Sequence, residues 1–196
     1  MSNYTIEDTN PILWPEFDLL IDNLITDINQ YFTKHNKKIH VISQLHRTGG
    51  IVGSILAIKM ELVPLLPVQF KYTYNPTDIT QISSVPDLLV DVPEDMNVIL
   101  AEGNTSSGSV AKLAAKAIKE KYPKSTIYLA TLTRVYGGFD SLENIEHIFQ
   151  GAFTNEKFLA TSQEIAQYSI REGITVFPWE NLEQELVENN LISDDD

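Results

Sequence analysis

The stretch that decides the fold is 97–122, "NVILAEGNTSSGSVAKLAAKAIKEKY". Its first seven residues, 97–103, form a short apolar run ending on Glu102 and Gly103, the pattern of a buried strand. Its last thirteen, 110–122, are rich in Ala and Lys and read as a helix. Between them lies a turn of small hydroxyl residues around Gly108. A flexible linker predicts no strong structure on either side. A strand, a glycine-containing turn and a helix in that order place backbone N–H groups and the positive end of a helix dipole around an anion. Ser106, Ser107 and Ser109 add hydroxyl donors. The two readings are a phosphate cradle and a plain strand-to-helix turn, and the flanking elements favour the cradle. Gly103 and Gly108 stand at P-loop spacing, but Ser109 and Val110 follow in place of Lys and Ser/Thr. The lysine that reaches the outer phosphates is missing, which argues against a nucleoside triphosphatase.

Working outward, apolar residues at 17, 20, 21, 24, 25, 28 and 32 recur at helical spacing, with Pro15 in the first turn. "IHVISQL" (39–45) reads as a strand, "HRTGG" (46–50) as a turn, 51–62 as a helix and "VPLLPVQF" (63–70) as a strand. Residues 71–96 show no strong period and contain three prolines, the mark of a functional loop. Further strands are expected at 125–132, 147–153 and 173–180. Strands alternating with helices imply an α/β fold, with a mainly parallel central sheet covered on both faces.

The chain has 196 residues, 43% hydrophobic, enough for one domain. It has no cysteine, which excludes disulfides and thiolate metal sites and fits a reducing cytoplasm. The opening "MSNYTIEDTN" is polar and acidic, unlike a secretory signal. Lys59, Glu61 and two prolines interrupt the apolar stretch 51–70, so no membrane association is expected. A net charge of −13 argues against nucleic acid. Part of it lies in 186–196, read as a solvated acidic tail. The four histidines are scattered, without metal-ligand spacing, and no Ser–His–Asp order stands out. Phe177 and Trp179 read as core more readily than as ligand contacts.

"VILAEGNTSSGSV" (98–110) resembles the signature of the type I phosphoribosyltransferases: four apolar residues, two acids, two apolar residues, then a hydroxyl-rich turn that opens a helix. "HVISQLHRTGGIVGSILAIKMELVPLLPV" (40–68) is similar to that family's strand, pyrophosphate turn, helix and strand. "WPEFDLLIDNLI" and "GITVFPWE" resemble the first helix and C-terminal hood of its xanthine-guanine branch. The resemblance implies one phosphoribosyltransferase-like domain over 1–185, with a mobile lid at 71–96 and a hood at 134–180. It implies transfer of ribose 5-phosphate from phosphoribosyl pyrophosphate to a base, a purine by branch, with Mg²⁺ as cofactor and a homodimer as the assembly.

Residue by residue, the resemblance gives Thr105, Ser106, Ser107, Gly108, Ser109 and Val110 to the 5′-phosphate. Arg47, Thr48, Gly49, Gly50 and Lys71 go to the pyrophosphate. Arg134, Ile174, Val176, Phe177 and Trp179 go to the base, and Glu102 to catalysis and magnesium. The sequence departs from the pattern at several points. The acid pair is Glu102 and Gly103, Asn104 and Thr105 stand where apolar residues are usual, and Ser106 replaces a frequent Asp. Ile174 stands at the base-stacking aromatic, and Arg134 matches the base-reading lysine only approximately. If Gly103 is mere drift, Gly103→Asp is expected to raise activity. The departures leave a second reading open, a non-catalytic nucleotide or phosphoribosyl sensor on the same fold.

Overall fold

The strand predicted at 97–103 runs longer, as β6 (Asn97–Thr105), and forms the spine of a six-stranded, all-parallel sheet. The computed structural model describes residues 4–61, 64–73 and 78–191. The other sheet strands are β2 (Val41–Leu45), β3 (Leu65–Val68), β7 (Thr126–Val135), β8 (His147–Asn155) and β9 (Arg171–Glu172). Their order is β3-β2-β6-β7-β8-β9.

Side chains of β6 alternate between two cores, as the period of a strand requires. Ile99 and Ala101 face one core, with Phe17, Ile21, Leu24 and Ile28 of α1 (Trp14–Lys34) and Val52 and Leu56 of α2 (His46–Lys59). Val98 and Leu100 face the other, with Ala111, Ala114, Ala115 and Ile118 of α3 (Ser109–Lys121). Helices therefore cover both faces. The alanines of α3 let it lie close on the sheet. The six buried residues of α1 all belong to its predicted apolar stripe. Lys59 bridges α2 to Asp18 and Asp22 of α1, at 2.7 Å each.

Three elements come from sequence that shows little period. β1 (Thr9–Pro11) pairs in parallel with β10 (Ile174–Val176), so the two ends of the chain meet. β4 (Phe70–Thr73) and β5 (Asp78–Gln81) pair antiparallel within the stretch read as lid. Residues 82–96 then run along the α3 side. Val85 and Met96 are buried there, and the Tyr122 hydroxyl donates to the Pro86 carbonyl while accepting from the Leu88 N–H. α4 (Ser162–Tyr168) opens with a reciprocal capping box of Thr161 and Glu164. α5 (Leu182–Leu191) takes up the first part of the stretch expected as solvated tail, because Asn181 Oδ1 accepts the N–H groups of Glu183 and Gln184 and starts a helix. Residues 192–196 of that stretch lie outside the described residues. Among the described residues no helix is long and apolar enough to cross a membrane.

Candidate functional site

From β2 the chain crosses to β3 on one side, while from β6 it crosses to β7 on the other. The carboxyl ends of β2 and β6 therefore border a topological switch point, where open α/β sheets hold ligands. A pocket of about 290 Å³ opens there. Its walls are Leu45 and Arg47–Gly49 from the end of β2, 102–110 from the end of β6, Tyr72 from β4, and Phe177 and Glu180 beyond β10.

The cradle is built as the flanking elements suggest. Gly108 adopts φ 72°, and a Cβ there would come within 2.8 Å of Leu142 and 3.0 Å of Phe139. Both the turn and its packing thus require glycine. α3 starts at the next residue, and the Lys112 N–H donates to the Gly108 carbonyl, so the amides before it have no helical partner and face the pocket end. The hydroxyls of Ser107 and Ser109 lie 2.9 Å apart above them.

The segment read as a turn, 46–50, is instead taken into α2, with the helical path broken at Arg47 (φ 5°, ψ −88°). Close packing explains this. A Cβ on Gly49 would lie 2.3 Å from the Ala101 carbonyl oxygen, so the first turn of α2 rests directly on β6. The glycine permits this strand contact and also lines the pocket. Gly50 does not line the pocket, and space for a Cβ there is open. Its carbonyl accepts from Gln44 Nε2 and Ser54 Oγ, each at 2.8 Å.

Glu102 is half-buried in the pocket wall, and Thr105 Oγ1 donates to its Oε2 at 2.9 Å. Desolvation pushes the carboxyl up to about 7, the Thr105 bond offsetting only part of the effect. The missing second acid has a steric cause. A Cβ at Gly103 would lie 2.0 Å from Thr48 Cγ2 and 3.3 Å from Phe177 Cε2. A side chain at 103 requires Thr48 and Phe177 to move, which counts against the expectation that Gly103→Asp raises activity. Asn104 is likewise no drift. Its Nδ2 donates to both oxygens of half-buried Glu156, at 3.0 Å each, and its Oδ1 accepts from Thr133 at 2.9 Å. Burial raises the Glu156 carboxyl, against the bonds from Asn104 and Thr175.

Glu180 belongs to the pocket although sequence reasoning passed over it within "FPWE". Its carboxylate accepts the Phe177 N–H at 2.8 Å and Thr48 Oγ1 at 3.2 Å. Burial raises it, while those bonds and the nearby Arg47 charge pull the other way. Glu185 on α5 is pushed up to about 7 by burial, then by repulsion from Glu180 and Glu188. Tyr72 was missed for want of any periodic signal around it.

Of the residues singled out in the sequence, Arg47, Thr48, Gly49, Glu102, Thr105–Val110 and Phe177 converge on the pocket. Lys71 points away as an exposed residue of β4. Arg134 sits below, its guanidinium 4.6 Å from the Phe139 ring and 5.6 Å from Phe153, with Asp140 at 3.9 Å. Ile174 and Val176 are buried in β10. Trp179 lies behind Phe177, stacked at 5.0 Å and packed against Trp14 and Phe17. Among the described residues no three His, Asp or Glu side chains gather as a metal site.

No protein-family model and no curated protein matches the chain. Solved structures do. A purine phosphoribosyltransferase from Pyrococcus horikoshii superposes with TM-score 0.63 at 18% identity, over 89% of this chain and 95% of its own. A hypothetical protein from Neisseria gonorrhoeae with bound ppGpp gives TM-score 0.63 at 17% identity, over 95% and 96%. A xanthine-guanine-hypoxanthine phosphoribosyltransferase from Helicobacter pylori gives 0.56 at 14%, over 92% and 98%. The chain thus has the type I phosphoribosyltransferase fold.

Proposed function

We propose that this protein transfers ribose 5-phosphate from phosphoribosyl pyrophosphate to a purine base and releases pyrophosphate. One observation carries the reading: a helix-start cradle, an arginine turn and a wall carboxylate converge on one pocket at the switch point of the sheet. In this reading the amides at the start of α3, with Ser106, Ser107 and Ser109, hold the 5′-phosphate. Arg47 and the first turn of α2 face the pyrophosphate. Phe177 borders the base. Glu102, when ionised, stabilises positive charge developing on the ribose ring.

Magnesium fits the donor chemistry, since it takes one or two carboxylates and completes its shell with substrate phosphates and water. Glu102 would hold it, and the ion supplies charge neutralisation of the pyrophosphate. The absence of a gathered metal cluster does not conflict with so sparse a site.

A second reading, a sensor that binds a phosphorylated nucleotide without turnover, is favoured by two observations. The place of the second acid is filled by Thr48 and Phe177, and a structural neighbour over nearly the whole chain carries bound ppGpp. Turnover assays with phosphoribosyl pyrophosphate, Mg²⁺ and adenine, guanine, hypoxanthine, xanthine or orotate separate the two. Nucleotide formation with a purine supports the enzyme. Saturable binding with no product from any base supports the sensor.

A further inference from the structure

Position 103 sits in the pocket wall beside Glu102, and it has no room for a side chain. The space is taken by Thr48 and the Phe177 ring. A single carboxylate holds both of these residues. Glu180 Oε1 accepts from Thr48 Oγ1 at 3.2 Å, and its Oε2 accepts the Phe177 N–H at 2.8 Å. The backbone turns sharply to allow this, with the Glu180 N–H donating to the Phe177 carbonyl at 3.0 Å, so the side chain comes back to the pocket.

A carboxylate has about four acceptor positions and no hydrogen to donate when ionised. Glu180 uses two of them, and the Thr48 bond, at 3.2 Å, is longer than the usual hydroxyl range. It therefore presents acceptor capacity to the pocket and holds one partner that a better donor can replace. The cradle, which lines the same pocket, offers N–H and O–H donors suited to an anion. The ligand chemistry that satisfies both walls is a phosphate ester carrying hydroxyls nearby.

We propose that Glu180 is a specificity-determining residue. Its carboxylate accepts hydrogen bonds from the ribose hydroxyls of a ligand whose phosphate occupies the cradle, and so delivers from beyond β10 the acid that position 103 has no room to carry. The proposal rests on the phosphoribosyl reading above. Binding displaces the Thr48 hydroxyl from Oε1 and leaves the Phe177 N–H on Oε2.

The test measures affinity by calorimetry for inorganic phosphate, ribose 5-phosphate and the 2-deoxy and 3-deoxy analogues. The variants are Glu180→Gln, which keeps size and one acceptor, and Thr48→Val, which keeps the methyl over Gly103 but removes the hydroxyl. The wild type is expected to prefer ribose 5-phosphate to at least one deoxy analogue. Glu180→Gln is expected to lose roughly 10- to 100-fold in ribose 5-phosphate affinity, the weight of a hydrogen bond to a charged group. It should lose the discrimination with it and bind inorganic phosphate as before. Thr48→Val should keep the discrimination, because it removes only the resting partner. Equal losses in both variants overturn the proposal, since Glu180 then acts only by holding the turn. Unchanged discrimination in Glu180→Gln overturns it too. A wild type that binds neither phosphate nor ribose 5-phosphate defeats the phosphoribosyl reading itself, and this proposal with it.

Discussion

Glu102 stands where the chemistry is proposed, with its carboxyl at about 7. At neutral pH it is divided between two protonation states, and only the ionised one supports a ribosyl cation. The rate is therefore expected to rise as pH passes through about 7, a limb that Glu102→Gln should abolish. That variant should lose about 3–4 kcal/mol of transition-state stabilisation, roughly 100- to 1000-fold in kcat/KM, while phosphate binding through backbone amides persists. The same shift sets a stability trend. The folded state holds the Glu102 proton to higher pH than the unfolded chain, so stability falls as pH rises from about 4.5 to about 7. Thermal melts across that range should show a slope from this group that flattens in Glu102→Gln. At the neighbouring position, Gly103→Asp forces Thr48 and Phe177 aside. It should destabilise by about 1–3 kcal/mol, as overpacking does, without gain of activity. A melting temperature equal to wild type would contradict this.

Two adjacent glycines at the start of α2 separate what packing demands from what it tolerates. Gly49→Ala drives a Cβ into the Ala101 carbonyl and should destabilise by about 1–3 kcal/mol. Gly50→Ala meets open space within a helix, and should be neutral or stabilising by about 0.5–1 kcal/mol. Denaturant melts of both variants check the pair. The lid remains our proposal for 71–96, of which 74–77 lie outside the described residues. β4 and β5 would move over the pocket that Tyr72 borders, while Val85, Met96 and the Tyr122 bonds anchor 82–96 to α3. Amide exchange in β4 and β5 should be faster than in β6 and slow on addition of ligand. Elements with strong period were legible in the sequence: α1 from its apolar stripe, β6 and α3 from the contrast across the cradle. β4 and β5 were not, because exposed, half-polar strands of four residues carry little period. α4 had a readable signal in Thr161 and Glu164 that its seven residues of weak hydrophobicity masked.

Across the whole molecule, the motif that fixes the fold also lines half the pocket, so its strand, Gly108 turn and helix start were readable in one dimension, whereas 46–50, read as a turn, joins α2. The other half comes from the far end of the chain. Glu180 and Phe177 reach the pocket from just beyond β10, which pairs with β1, a contact that no local spacing encodes. Asn104 and Gly103 looked like losses in sequence because their partners, Glu156 and Thr48, lie 52 and 55 positions away. A net charge of −13 puts a demand on any anion site in this chain. In the proposed reading, neutral backbone donors at the start of α3, one arginine and carboxyls raised by burial meet that demand. The central claim, that this pocket binds a phosphorylated ribose, is tested most directly by titration calorimetry of the protein with phosphoribosyl pyrophosphate in the presence of Mg²⁺. The account predicts saturable one-to-one binding that inorganic phosphate competes away. A folded protein that shows no binding heat with phosphoribosyl pyrophosphate, and none with any purine nucleoside monophosphate, would contradict it.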